Sequence, residues 1–444
     1  MKVNISEIID NSKFGKIHFT VLAWCIVLIL FDGYDLAVLG AIIPTLHAEW
    51  GVSTTVLGFV GSLTLIGSLI GSLICGVVAD KIGRKNVIVS CIAIFGIFTC
   101  FNGFATNITQ FAVFRFLAGI GLGGIPPLLV TLTSEYSPKK IRNVMIGIMF
   151  SGYSIGGILV SLLGMKLMPI YGWQSLFYIG ALPMIALPFI VKSLPESLYY
   201  MVNKGEQEKA KTLLSVLNPS YKLNDQSVLI TEMETTGVPI KRLFQEKRTR
   251  VTILFWIICF MGLLLVYGLT TWLPQIMVAS GFKLSSSLSF LLCLNIGAII
   301  GSIIGGVIAD KIGSKRVLML FYLVGGISLI CLAFNPNNLV LYLLISCCGA
   351  ASIGAQNLNN ACISTYFPPN MKSTALGTAL GVGRLGAIVG PTIGGLLLSS
   401  EGQSYWSFIV FSIPAFLAFV AYACMPLKKT KEYVSLPTEI SISK

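Results

Sequence analysis

Charge and reactive chemistry are scarce in this chain. Asp, Glu, Lys and Arg together make up 11% of 444 residues, and there are only two histidines. His18 and His47 stand at opposite ends of one apolar run, too far apart to share a ligand, and read as polar residues at a membrane interface. The eleven cysteines form no C-x-x-C or other metal spacing, and they sit in apolar stretches where Cys acts as small filler. No nucleophile–base pair, phosphate loop or metal cluster emerges. Nothing therefore supports an enzyme, a metal or a redox cofactor.

Apolar sequence is abundant: 55% of the residues are hydrophobic, with a mean hydropathy of +0.84. Runs of roughly 18–25 apolar residues, long enough to cross a hydrocarbon layer of about 30 Å, recur throughout. They predict twelve spans, near 17–45, 53–78, 86–105, 109–134, 143–168, 174–193, 251–277, 287–309, 316–334, 338–365, 373–398 and 405–425. Backbone groups in lipid must bond internally, so each span is a helix. The expected fold class is all-α, a polytopic membrane protein.

The chain also repeats itself. Gly67 to Ile88 and Gly297 to Leu318 lie 230 positions apart and match at 14 of 22 residues. The same offset pairs Pro44 with Pro274, Gly119 with Gly349 and Gly156 with Gly386. This predicts two pseudosymmetric six-helix bundles, residues 1–193 and 251–425, with a linker at 194–250 and a polar tail at 426–444. Short helices are expected at the start of the linker, one of them over Gly205 to Leu217, with poor order near 218–236.

Net charge is +13, and its distribution argues against nucleic acid as the partner. If the N-terminus is cytoplasmic, the inward loops and termini hold 27 of the 31 basic residues, and the outward loops hold only Lys166 and Lys283. This is the positive-inside pattern. It predicts a multi-pass protein of the cell membrane with both termini cytoplasmic, the first span serving as an uncleaved signal anchor.

Gly76-Val-Val-Ala-Asp80-Lys-Ile-Gly83-Arg84-Lys85 joins spans 2 and 3 and returns around Asp310 between spans 8 and 9. Gly83 allows a tight turn. Asp80 could meet a helix N-terminus or a nearby Arg, latching one arrangement of two rocking halves. A plain basic turn is the alternative. Glu135 and Arg142, on either side of the loop between spans 4 and 5, join this gating set.

The informative charges are those inside the spans, where an ion costs about 2.5–3.5 kcal/mol to insert and so needs a partner or water. Asp32, Asp35, Arg115 and Arg384 all break the repeat, facing Gly262, Leu265, Ile345 and Ser154 at the 230-residue offset. Asp32 and Asp35 share one face of span 1, about 21–26 Å deep. Two carboxylates so close in a poorly polar cavity resist full ionisation, making one a carrier for a coupled proton. A pair between Arg115 and Asp35 or Asp32 is expected, loosening on protonation, with simple anchoring of span 4 as its rival. Arg384 lies near mid-membrane with no acid of its own half at that depth. Its counter-ion must be Asp32, Asp35 or an anionic substrate, and guanidinium geometry favours a carboxylate. A purely structural pair across the cavity is the alternative. Tyr34, Tyr153, Tyr267, Trp272, Gln356, Asn357 and Asn360 are candidates to complete a pocket, or to pack.

Together these features resemble the aromatic acid:proton symporters of the major facilitator superfamily. The resemblance rests on Asp32-Gly-Tyr-Asp35, the loop at Asp80, the segment GVGRLGAIVGPTIGG around Arg384 and the Pro195-Glu196-Ser197 opening of the linker. Lys372 stands where that family would suggest arginine. The resemblance implies a cavity lined by spans 1, 4, 7 and 10 and cargo such as benzoate or hydroxybenzoates. It also implies transport and proton roles for Asp32 and Asp35, gating for Asp80, charge balance or substrate contact for Arg384, no cofactor, and a monomer in lipid. Uptake of another organic anion or a sugar remains open. So does drug antiport, although span 5 lacks proline from Ser151 to Gly164, where such exporters carry a Gly-Pro motif. A non-transporting receptor is left little room for a signalling domain.

Overall fold

A computed structural model describes residues 2–218, 221, 228–230, 240–245, 248–334, 337–367, 371–399 and 405–426. The tail beyond residue 426, most of 218–236 and the side chain of Lys372 lie outside the described residues. Among those described, twelve helices are long and apolar enough to cross a membrane. Spans 1 to 6 are Lys16–Trp50, Thr54–Ile82, Arg84–Asn102, Ile108–Glu135, Arg142–Tyr171 and Gln174–Ser193. Spans 7 to 12 are Thr249–Ala279, Leu284–Ile312, Ser314–Leu332, Asn338–Tyr366, Lys372–Ser399 and Tyr405–Ala423. They form two pseudosymmetric six-helix bundles.

Local chemistry sets the ends. Ser53, Asn107 and Asn337 cap spans 2, 4 and 10 by accepting from the backbone N–H three residues on. The repeated loops turn on Gly83 and Gly313, at φ +98° and +90°, where a side chain would be strained. Span 1 runs beyond its expected end to Trp50 and stops at Gly51, φ +63°. Span 6 is broken at Ala181 and Ala186, just before Pro183 and Pro188. Span 10 carries a π-helical turn at Ala350–Gly354.

Glycine brings spans 2 and 4 together backbone to backbone. A Cβ on Gly71 would overlap the Ile120 carbonyl, and one on Gly123 the Ser68 carbonyl. Gly297 and Gly349 repeat that packing between spans 8 and 10, against Ser346 and Leu294.

The bundles meet on the face opposite the basic loops. There Thr54 donates to the Gly395 carbonyl at 3.0 Å, Ser62 bonds Thr392 at 2.7 Å, and Gly40 abuts the Thr270 carbonyl. Towards the basic face, Gly76, Gly147, Gly306 and Gly377 have nothing within 4 Å of where a Cβ would point. The hydrogen bonds seen between spans 2 and 11 run from Thr54 through Ser62 and Ser68 to Ser72. The seam is closed on one face and parted on the basic one.

The linker departs from expectation. Its helices Leu198–Asn203 and Gln207–Leu217 appear where short helices were expected. Within the stretch expected to be loose, however, Val228–Ile230 pairs in parallel with Lys2–Asn4. The following turn of helix, Ile5–Asp10, buries Ile5, Ile8 and Ile9 in one cluster with Leu214 and Leu217, and Asn218 donates to the Ile8 carbonyl at 3.1 Å. The N-terminal segment and linker thus cap the first bundle. The linker's far end joins the second, where Thr252 donates to the Leu243 carbonyl at 2.9 Å.

Candidate functional site

Span 1 places both aspartates. Gly33 and Gly156 let it lie directly on span 5, against Tyr153 and Leu30, so Asp32 stands beside Tyr153. Asp35, one turn on, turns into the first bundle. Its Oδ1 accepts from Arg115 Nη1 at 2.7 Å, both residues being 1% exposed. Arg115 Nε donates to Thr64 Oγ1 at 3.1 Å. The ion pair expected between spans 1 and 4 is therefore present, made by Asp35, and its Arg115 is also held from span 2.

A small cavity of about 30 Å³ opens beside this pair. The first bundle contributes Asp32, Asp35, Thr64, Ser68, Arg115 and Tyr153, and the second contributes Tyr267, Thr271 and Pro391. Leu36, Leu39, Leu65 and Leu122 complete an apolar wall. Asp32 differs sharply from its neighbour. It has no hydrogen bond or ion pair among the described residues, only longer-range interactions with Asp35 and Arg384. The two acids, three residues apart, occupy opposite situations: one is clamped, the other faces the cavity.

Arg384 comes from the second bundle but reaches the first. Its Nη1 donates to Ser72 Oγ at 2.6 Å and to the Ser68 carbonyl at 3.2 Å. Among the described residues no carboxylate lies within ion-pair distance of it, so of the three counter-ions expected for it, neither Asp32 nor Asp35 is paired with it here. Span 2 serines hold it instead.

Several expected pocket residues are elsewhere. Tyr34 points away from the cavity and donates to the Leu176 carbonyl at 2.9 Å. Trp272 is fully buried and donates to the Pro391 carbonyl at 2.7 Å, tying span 7 to span 11 on the closed face. Span 10 does not border this cavity, whereas spans 2, 5 and 11 do. Gln356 donates to Asn360 and Asn357 to Ser302, each at 3.2 Å, within the second bundle. Only Tyr153 and Tyr267 among the aromatic candidates line the space.

On the basic face, Gly76, Asp80 and Asp310 are exposed, and neither acid makes a hydrogen bond or ion pair among the described residues. The acid engaged is Glu135, which pairs with Arg84 and accepts from Ser197 Oγ at 2.7 Å. Glu196 accepts from the Lys85 and Ser197 backbone N–H groups at 3.0 and 2.8 Å. Arg142 pairs with Asp10 at 2.5 Å. Sequence reasoning missed Ser68, Ser72, Thr64, Asp10 and Glu196 as contacts. Of these only Glu196 had a signal, in the Pro195-Glu196-Ser197 motif.

Comparison with known proteins bears on what this cavity serves. The Major Facilitator Superfamily family model matches residues 25–377 and again 291–440. The benzoate transport protein of Acinetobacter baylyi is 42% identical over 427 residues, 94% of this chain and 92% of that protein. The 4-hydroxybenzoate transporter PcaK of the same organism is 33% identical over 433 residues, covering 94% of this chain and 93% of its own length. In structure, the xylose transporter XylE of E. coli, solved in a partially occluded inward-open conformation, aligns with a TM-score of 0.73 at 18% identity. That alignment covers 93% of this chain and 100% of the other, and it speaks to the fold alone.

Proposed function

The chain belongs to the major facilitator superfamily, among its aromatic-acid transporters, and from that premise we propose that it imports a small aromatic carboxylate with protons by alternating access. It is a multi-pass membrane transporter and not an enzyme. One observation carries the finer reading: Asp32 lines the cavity, and Arg384 of the opposite bundle reaches Ser68 on its wall, each without an ion-pair partner among the described residues. Charges in such a place are expensive unless they are used.

In this reading Arg384 receives the cargo carboxylate, and the leucines with Tyr153 and Tyr267 take the ring. Asp32 carries the proton, because no guanidinium pairs with it directly. Asp35 and Arg115 fix span 1 against span 4 and set the field around Asp32. Gly76, Gly83, Arg84, Glu135 and Arg142 shape the basic face, and Asp80 and Asp310 engage when its helix ends close. The distribution of basic residues supports a cytoplasmic basic face, both termini inside, and a plasma-membrane location. The two bundles with their linker act as a monomer. The 42% relative favours benzoate over ring-hydroxylated acids. One proton with one monoanion moves no net charge. The pH gradient would then drive uptake, at about 1.4 kcal/mol, or tenfold accumulation, per pH unit.

Uptake of labelled benzoate, 4-hydroxybenzoate and hexanoate into proteoliposomes with an acidic exterior tests this. Benzoate should accumulate and a protonophore should abolish the accumulation. Equal uptake of hexanoate, or indifference to the protonophore, would remove the reading.

A further inference from the structure

We propose that span 2 competes with the cargo for Arg384: Ser72 and the Ser68 carbonyl take the guanidinium while the basic face is open, and so help to eject the bound carboxylate. The inference rests on the reading of Arg384 as the carboxylate site.

The Ser72 hydroxyl is set up as an acceptor. Its single proton goes to the Leu69 carbonyl at 2.8 Å, leaving its lone pairs for Arg384 Nη1 at 2.6 Å. The second acceptor, the Ser68 carbonyl, belongs to a residue that borders the cavity. The clasp therefore holds the guanidinium on span 2, against a residue of the cavity wall. It also crosses from one bundle to the other, so it exists only in some relative positions of the two. Here the far face is closed and the basic face is parted, the arrangement from which an importer discharges inward.

The repeat shows that this use of Ser72 is particular to one seam. Its counterpart at the 230-residue offset, Ser302, accepts from Asn357 inside its own bundle. The counterpart of Arg384 is Ser154, a buried neutral residue on span 5. Among the described residues, the seam between spans 2 and 11 thus carries a cation on a serine acceptor and its repeat does not. A neutral hydroxyl and a carbonyl bind guanidinium less strongly than a carboxylate does. The clasp can be displaced by cargo from the other arrangement and can re-form as the bundles rock, which suits a release step.

Benzoate is the probe, with purified protein in lipid nanodiscs for binding and proteoliposomes for counterflow. Ser72→Ala should bind benzoate about tenfold more tightly, the weight of one hydrogen bond to a charged group, and turn over severalfold more slowly. Ser72→Thr, which keeps the hydroxyl, should match the wild type. In an Arg384→Lys background, Ser72→Ala should change nothing further. Equal or weaker binding by Ser72→Ala, or unchanged turnover, overturns the competition even where Arg384→Lys loses benzoate. If Arg384→Lys itself binds benzoate normally, the carboxylate site is wrong and the competition falls with it.

Discussion

Asp32→Asn and Asp35→Asn should separate function from folding, although they change the same chemistry three residues apart. Asp35 and Arg115 are both 1% exposed and meet at 2.7 Å, so removing the carboxylate strands a buried guanidinium. Breaking one partner of such a pair costs about 3–5 kcal/mol. For a bundle of this size, about 2–4 °C of melting temperature goes with each kcal/mol, so Asp35→Asn should melt roughly 6–20 °C lower. Asp32→Asn removes no hydrogen bond or ion pair among the described residues and should melt within about 2 °C of wild type. Thermal unfolding in detergent, followed by tryptophan fluorescence, reads the first quantity, and labelled benzoate accumulation reads the second. Accumulation should vanish in both variants. Asp35→Asn with Arg115→Gln should recover much of the lost stability and none of the accumulation. Equal melting of the two single variants would refute the division of labour, as would undiminished accumulation by Asp32→Asn.

Arg384→Lys keeps the charge but loses the planar fork, and should weaken benzoate binding by about tenfold with little change in melting, measured by titration in nanodiscs. Glu135→Gln removes the charge of the carboxylate paired with Arg84 on the basic face, and should slow counterflow while equilibrium benzoate binding stays within about twofold. Gly71→Val drives a branched side chain into the Ile120 carbonyl, so stability should fall by about 1–3 kcal/mol or more, read as lower protein yield and earlier melting. Ile5→Asp puts a charge into the cluster beneath the first bundle and should expose the linker to trypsin without changing the cargo preference.

Hydropathy and the 230-residue repeat made the helices and the two bundles legible, because lipid leaves the backbone few choices. The unduplicated charges pointed to the seam for a similar reason, since ions inside a membrane are rarely idle. Their pairing was harder to read. Asp32 and Asp35 share a helical face in sequence, and only the packing of spans 2 and 4 around Arg115 decides which one is clamped. Ser72 and Ser68 gave no warning, because a serine in an apolar helix usually bonds its own preceding turn, as Ser72 also does. Tyr34 and Trp272 looked like pocket residues, yet each found a buried carbonyl on another helix. The strand at Lys2–Asn4 is three residues long, too short for any period to show.

The most direct test of the central claim is proton movement during downhill benzoate entry. It needs only proteoliposomes holding a trapped pH dye and a potassium–valinomycin clamp. Wild-type protein should acidify the lumen in step with benzoate, whereas Asp32→Asn should still exchange benzoate across the membrane without moving protons. Benzoate-linked acidification that survives in Asp32→Asn would contradict the assignment of the coupled proton to that side chain.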